Sequence, residues 1–323
     1  MQKGDSYEKY VNKEGRGKWL RMNTFLDCIP CFVRQALEAA RFVTDDPAIH
    51  ERVMRGILLE AAQMDLSQSP PAIGQKLHRA LRDLTGVYDP YREIKDYFNQ
   101  TALEMLPGLS ARIRDAGDPL FMALRVAIAG NVADLGANGD IRADEVNNAM
   151  DNILNEPFHG RVEDFRDMVS HARNILYLAD NAGEIVFDRL LIERLPPERV
   201  TLAVRGMPVL NDATRADAEA AGLCDLVEVI DNGSDAPGTI LADCSREFSR
   251  RFSMADLIIA KGQGNFETLS DTSVNIYFLF KAKCPVIANH VGLPVGTHVA
   301  IRGRHGGDDA FRVNGGTVGD VSG

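Results

Sequence analysis

Hydrophobic positions recur at helical spacing in the first half of the chain, from about residue 20 to 165. One buried helix face requires apolar residues at i, i+3, i+4 and i+7, a spacing met by Val33, Ala36, Leu37 and Ala40. The same pattern recurs over 94–105, and a further helix is predicted over about 118–129. The sequence therefore predicts an α-helical domain over 20–165.

Short apolar runs replace this pattern after about residue 174, and no strand is predicted before it. The runs lie at 174–179, 199–204, 226–230, 256–260 and 285–288. Helical spacing separates most of them, for example over 184–194 and 265–282. Apolar strands that alternate with helices are typical of a parallel sheet covered on both faces. We therefore predict an α/β domain over 166–302, in which the last run, around 297–302, adds an edge strand.

The two ends of the chain and its cysteines bear on local flexibility and on the expected cellular compartment. Residues 303–323 are rich in glycine with few apolar anchors, which predicts a flexible tail. The N-terminal stretch is polar and lacks the apolar core of a secretory signal, and no window approaches the ~18 apolar residues of a membrane span. Five irregularly spaced cysteines do not resemble a secreted disulfide framework. A cytoplasmic protein is expected.

The charge balance narrows the choice of partners. Asp and Glu number 46 against 36 Lys and Arg, a formal net charge of −10, and no long basic run occurs. Nucleic acid and anionic membranes both require a cationic face, so neither is expected as a partner. Clustered acidic residues suit bound cations better.

Polar residues follow four of the predicted strands. In open α/β sheets, ligands bind beyond the carboxyl ends of the strands. The residues found there are Asp180, Asn181, Gly183 and Glu184, then Asn211 and Asp212, then Asp231, Asn232, Ser234 and Asp235, and finally Lys261, Gly262, Gly264, Asn265 and Glu267. Carboxylate and amide oxygens suit a hard cation such as Mg²⁺ or Mn²⁺, and a lysine with backbone N–H groups suits phosphate.

Each of these residues has a simpler interpretation by itself. Asp180, Asn181 and Asp212 fit helix N-caps, which are common. A lysine in the position of Lys261 is often a solvated surface residue, and the two glycines simply turn the chain. Four successive strands that all end in such residues nevertheless favour a site for a cation and phosphate.

Several other motif classes are excluded. The chain has no G-x-x-x-x-G-K-[ST] segment, which excludes a P-loop, and no G-x-S-x-G segment, which excludes a nucleophile elbow. No G-x-G-x-x-G follows the first strand of the α/β half, which weakens a dinucleotide site. Ala182 stands where a haloacid-dehalogenase pattern would have a second aspartate.

Several motifs closely resemble those of the damage-control phosphatase family, formerly a domain of unknown function with the number eighty-nine. They are DNAGE (180–184), NDAT (211–214), KGQGNFETL (261–269) and CIPC (28–31), with AGNVADLG (129–136) and KAKCPVIA (281–288) fitting the same pattern. The resemblance extends in order over about residues 25–302. The CxxC motif resembles the mostly prokaryotic subfamily that contains it.

This resemblance implies a Rossmann-like α/β/α domain with a parallel-dominated sheet, preceded by an all-α domain. It implies a hydrolase, a metal-dependent phosphomonoester phosphatase, with Mg²⁺, Mn²⁺, Co²⁺ or Ni²⁺ as cofactor. The matching positions make Asp180, Asn181 and Asp212 the metal ligands and Lys261 the phosphate-binding residue. These four form the expected catalytic group.

The resemblance also places further residues at the substrate. Glu184, Gly262, Asn265 and Glu267 lie within matching motifs, and Asn131 and Asp134 are expected to reach the site from the helical domain. The implied substrate is a small phosphorylated metabolite, phosphosugar or nucleotide-like, and the attacking group is either a metal-activated water or a carboxylate. The alternative function is a non-catalytic metal- or metabolite-binding protein on the same scaffold.

The cysteines leave two interpretations open. Cys28 and Cys31 begin an amphipathic helix, where the positive helix end favours a thiolate. In one interpretation, Cys284 joins them in a second metal or redox site, with His290 as a possible fourth ligand. A single CxxC is a weak zinc signal, and simple buried thiols are the other interpretation.

Overall fold

The structure is a computed structural model that describes residues 22–130 and 155–303. The predicted substrate-binding residues Asn131 and Asp134 lie outside these ranges, as does the predicted tail beyond Gly303. Within these ranges, no helix has the length and apolar character needed to cross a membrane.

Five helices make up the first described range. They are α1 Cys28–Val43, α2 Pro47–Ala62, α3 Pro70–Thr85, α4 Arg92–Asp115 and α5 Pro119–Ala129. Local signals explain where they begin: prolines stand at the first position of α2, α3 and α5, where no intrahelical N–H is lost. Asp118 caps α5 by accepting the Phe121 N–H at 3.0 Å. The predicted helices over 33–40, 94–105 and 118–129 are confirmed.

A seven-stranded sheet forms the centre of the molecule, in the order β1-β7-β6-β5-β2-β3-β4. Its strands are β1 Phe158–Gly160, β2 Ile175–Leu178, β3 Val200–Val204, β4 Glu228–Asp231, β5 Leu257–Lys261, β6 Ile276–Lys281 and β7 His298–Arg302. Every neighbouring pair is parallel except β6 with β7. The predicted α/β class with a parallel-dominated sheet is therefore confirmed.

Six further helices connect the strands. They are α6 Val162–His171, α7 Glu184–Ile192, α8 Arg215–Ala220, α9 Arg246–Met254, α10 Gly262–Leu269 and α11 Pro285–Val291. Alternate residues of β2 enter two separate cores. Tyr177 packs in a cluster with α4, α5 and α7, whereas Leu178 packs in one with α9, α10 and α11. Because both faces of the sheet are covered, its strands are apolar throughout rather than alternating.

The sequence-based assignment over 265–302 was partly wrong. The helix predicted over 265–282 ends at Leu269, and 276–281 form strand β6. The strand predicted over 285–288 is instead α11, which has proline at its first position and Gly292 in the left-handed region after its end (φ 71°). Short fully buried runs are ambiguous, since a strand covered on both faces shows no period of two.

Two strands lie where they were not expected. The run at 297–302 is strand β7, but it lies between β1 and β6 instead of at an edge. The expectation that no strand precedes about residue 174 was also wrong, because the three-residue β1 pairs with β7. The proposed domain limits themselves stay a prediction.

Candidate active site

The carboxyl ends of β2, β3 and β5 bring the principal polar residues together. Leu178 is in register with Ala203 on one side and Ala260 on the other, so all three strands end at the same edge. Beyond this edge, the Ala182 N–H donates to the Asn211 carbonyl and the Ala213 N–H to the Asp180 carbonyl, both at 2.8 Å. This backbone bridge pairs Asn181 with Asp212. The predicted metal ligands thus lie together at one buried edge.

Helix α10 begins directly against the carboxyl group of Asp180. Its first residue, Gly262, has a φ of 77°, and a Cβ built there would lie 2.0 Å from Cγ of Asp180. Only glycine accommodates both the left-handed backbone and this close approach. The carboxylate also gains from the positive end of the helix that starts there.

Asn181 connects two carboxylates. Its Nδ2 donates to Oδ2 of Asp180 at 2.7 Å and to Oε2 of Glu184 at 3.0 Å. All three side chains are buried. The amide therefore occupies the space between the two acids, where their mutual repulsion is greatest.

Lys261 is fully buried and donates all three of its protons to protein acceptors. These are the Ala127 carbonyl at 2.8 Å, Glu184 Oε1 at 2.7 Å and Asp188 Oδ1 at 2.5 Å. Burial lowers the pKa of Lys261, but the negative charges of Asp188 and Glu184 outweigh it and the net effect raises the pKa. In this arrangement no N–H of Lys261 is left for a phosphoryl oxygen. Its predicted phosphate contact stays a prediction, and what the structure supports is a role in holding the carboxylates.

Asp188 and Tyr177 extend this buried network. The Tyr177 hydroxyl donates to Asp188 Oδ1 at 2.8 Å. Burial raises the pKa of Asp188 to about 6, although Lys261 opposes the shift. The sequence interpretation missed both residues, because each lies within an apolar-looking strand or helix.

Arg205 was also missed, although it follows β3 immediately. Its Nε donates to Asp212 Oδ2 at 2.6 Å, and its Nη1 lies 3.3 Å from Asn265 Oδ1. Its Nη2 lies 3.9 Å from Asp180 Oδ1 and has no hydrogen-bond partner among the described residues. The position of the arginine at the end of a strand was the available signal. A buried guanidinium thus has an NH₂ group near Asp180 that makes no hydrogen bond with the described residues.

Two predicted substrate-binding residues make bonds within the protein. Asn265 donates to the Lys261 carbonyl at 2.7 Å and accepts from the Thr239 hydroxyl at 2.8 Å. Glu267 accepts from Gln263 at 2.9 Å, and burial raises its pKa to about 7. Asn265 therefore fixes the start of α10, and its predicted substrate contact remains a prediction, as does that of Glu267.

The helical layer fixes the turn that carries Asn181 and Glu184. The Asn99 side chain of α4 accepts the Gly183 N–H at 2.7 Å and donates to Asp217 at 2.8 Å. Gly130, the residue that follows α5, lies so near Glu184 that a Cβ built on it would be 3.3 Å from Cγ of Glu184. The AGNVADLG motif therefore begins next to the site, although its predicted site residues are outside the described ranges.

Negative charge exceeds positive charge at this edge. The buried ionisable groups that contact one another directly here are the acids Asp180, Glu184, Asp188 and Asp212 and the cations Arg205 and Lys261. Four acids against two cations leave two unbalanced negative charges if all are ionised. Burial, followed by the charges of Glu184 and Asp212, raises the pKa of Asp180 from 3.8 to about 8. Burial also raises the pKa of Asp212, although Arg205 opposes it.

This charge excess and the donor chemistry fit a hard divalent cation. Such a cation would balance two negative charges, and Asp180 and Asp212 supply carboxylate oxygens. A half turn of the Asn181 amide would present its oxygen in place of its nitrogen. Within 22–130 and 155–303, no three His, Cys, Asp or Glu side chains form a ready-made metal site, so the predicted ligand set depends on this amide.

The three predicted thiols of the second site are partly buried and lie near one another. The Cys284 sulfur lies 3.6 Å from Nε2 of Gln263, which also binds Glu267. Burial raises the pKa of Cys28 to about 11 and also raises that of Cys284, so both thiols are protonated at neutral pH. Cys31 is half-buried one turn after Cys28, and the ring of His290 packs on Phe266. The second metal or redox site stays a prediction.

Fold and site together define a mixed α/β protein with a buried acidic centre at the carboxyl edge of its sheet. The family model described as the damage-control phosphatase ARMT1-like domain matches residues 24–299. The chain belongs to this family. The resemblance found in its motifs is thereby confirmed, whereas assignment to the CxxC-containing subfamily stays a prediction.

Individual relatives agree with this membership. A damage-control phosphatase of Pyrococcus horikoshii is 32% identical over 291 residues, 88% of this chain and 99% of that protein. A damage-control phosphatase of Archaeoglobus fulgidus is 34% identical over 280 residues, 84% of this chain and 96% of that protein. The crystal structure of a DUF89 family protein from P. horikoshii superposes with a TM-score of 0.78 at 32% identity and covers 88% of this chain and 100% of its own. These homologues support a phosphatase role.

Proposed function

We propose that this protein is a metal-dependent phosphatase that hydrolyses small phosphorylated metabolites, phosphosugars or nucleotide-like compounds. The observation that carries the proposal is the buried position of Asp180 between Asn181, Asp212 and the start of α10, within a cluster of excess negative charge. A carboxylate kept in such surroundings needs a cation to remain ionised at neutral pH. The relatives named damage-control phosphatases support phosphatase chemistry as the reaction.

Asp180, Asn181 and Asp212 would hold the cation, with Mg²⁺, Mn²⁺, Co²⁺ and Ni²⁺ as candidates. When bound, a divalent cation polarises a phosphoryl group and stabilises the charge on its oxygens. Arg205 orients Asp212 through its Nε. Its Nη2, which has no hydrogen-bond partner among the described residues, is available to a phosphoryl oxygen near Asp180. A buried, preorganised donor of this kind is worth more than one in water.

Lys261 acts one step further from the substrate. It holds Glu184, whose other carboxylate oxygen accepts from Asn181. Lys261 therefore fixes the carboxylate of Glu184, and Glu184 in turn fixes the amide of Asn181. Such support fixes the geometry of the groups that contact substrate.

A phosphate-release screen tests the proposal. Purified protein would be treated with chelator, dialysed, and assayed over phosphosugars and nucleotides with each of the four cations. We expect turnover only with an added cation, and loss of at least about a hundredfold in rate for Asp180→Asn. Asp271→Asn is the matched control, since Asp271 is exposed and its rate should not change. Absence of phosphate release with every cation would favour a binding protein instead.

A further inference from the structure

Lys283 lies at the same edge of the sheet as the acidic centre. It follows β6 by two residues, and β6 runs parallel to β5 with Leu279 in register with Lys261. The Lys283 N–H donates to Oε1 of Gln263 at 3.3 Å. Gln263 is the residue after Gly262, which packs on Asp180. The backbone of Lys283 is therefore attached to the helical turn that contacts Asp180.

The side chain of Lys283 differs from those of the other lysines nearby. It is exposed and makes no hydrogen bond or ion pair with the described residues. Lys281, by contrast, binds Glu156 at 2.7 Å, and Lys261 has used all its protons. Lys283 lies close enough to Asp180 for the two charges to interact. Within the described part of the chain, an ammonium without a salt-bridge partner thus lies at the border of a buried acidic site.

We infer that Lys283 is the lysine that binds the phosphoryl group of the substrate, and that Lys261 is a positioning residue for Glu184 and Asp188. The inference rests on the proposed phosphatase function. An ammonium on a flexible four-carbon stem, with three free N–H donors, is suited to a phosphate that enters from solvent. A cation at the entrance also offsets the repulsion that the acidic centre exerts on an anionic substrate.

The test compares Lys283→Ala, Lys283→Arg and the control Lys76→Ala at saturating cation. Lys76 is exposed on α3, so its removal changes surface charge equally without touching the site. We expect Lys283→Ala to raise KM, and the inhibition constant of inorganic phosphate, about tenfold, the usual effect of one charge-assisted hydrogen bond. Lys283→Arg should restore most of the loss. Because Lys283 is exposed, the melting temperatures of all variants should match that of the wild type.

A second readout separates this inference from the proposed function. Calorimetry would measure binding of inorganic phosphate to the Mn²⁺-loaded protein without any turnover. Weaker phosphate binding by Lys283→Ala, together with no phosphate release by the wild type, would reject the phosphatase and keep the anion site. Normal turnover, with KM and phosphate binding in Lys283→Ala equal to those of Lys76→Ala, would overturn the role of Lys283 and keep the phosphatase. Wild-type protein that neither turns over nor binds phosphate would overturn both.

Discussion

The Cα of Gly262 lies against the carboxyl group of Asp180, so closely that a Cβ would come within 2.0 Å of Cγ. This contact joins the ends of β2 and β5 and sets the position of the carboxylate. It explains why helix α10 starts on a glycine in the left-handed region. The acidic centre and the helix therefore depend on each other.

Gly262→Ala should damage the site more than the fold. A left-handed alanine costs about 1–2 kcal/mol, and the added methyl would in addition displace Asp180. Gly86→Ala is the matched control, since Gly86 has a φ of 72° with nothing within 4 Å of its Cβ. We expect similar urea unfolding losses from the backbone strain, but loss of cation binding and activity only for Gly262→Ala. Equal cation affinity in the two variants would argue against a role for the contact.

Lys261→Met should destabilise the protein in a pH-dependent manner. Removing the ammonium leaves Glu184 and Asp188 buried without their cation, a change that costs about 3–5 kcal/mol. Protonation relieves this cost, and the pKa of Asp188 is already raised to about 6 with the lysine present. Urea unfolding should therefore show a larger loss at pH 8 than at pH 5. A pH-independent loss, or one no greater than for exposed Lys76→Met, would contradict the network.

Metal-free protein should lose stability as pH rises. Because the pKa of Asp180 is raised in the folded state, from 3.8 to about 8, the folded state binds more protons than the unfolded chain between these values. The stabilisation is complete below about pH 4 and is lost as pH rises through about 8. Asp180→Asn, which keeps a neutral side chain, should weaken this dependence. Urea unfolding at pH 6 and 9 in chelator measures it, and identical slopes for both proteins would refute the assignment.

Asn99→Ala should loosen the turn before α7. The change removes the hydrogen-bond acceptor of the Gly183 N–H and one donor to a buried Asp217 oxygen. We expect the free energy of unfolding to fall by about 1–3 kcal/mol. Asn289→Ala removes an exposed amide and serves as control. We expect a lower urea midpoint and, because Asn181 and Glu184 flank this turn, lower turnover at saturating cation. Unchanged turnover despite lost stability would separate the α4 contact from the site.

The sequence alone determined much of the sheet edge. Asp180, Asn181 and Asp212 follow strands whose apolar composition identified them, and parallel strands end at a common edge. Three helices of the first half were predicted from the helical spacing of their apolar residues. The region after α10 was not, because β6 and α11 are short buried runs of similar composition, and the choice between them depends on what covers each face.

Only the tertiary structure determines which charged side chains lie in contact. Local patterns made Lys261 a plausible phosphate ligand, since it stands beside Gly262 at a strand end. In the folded chain its ammonium lies between Glu184 and Asp188 and under the Ala127 carbonyl, which are distant in sequence. Arg205 also lies beside Asp212, seven residues along the chain, and beside Asp180, which belongs to the preceding strand end. The electrostatic energy of two charges depends on the distance between them and on their burial, and the order of residues along the chain gives neither quantity.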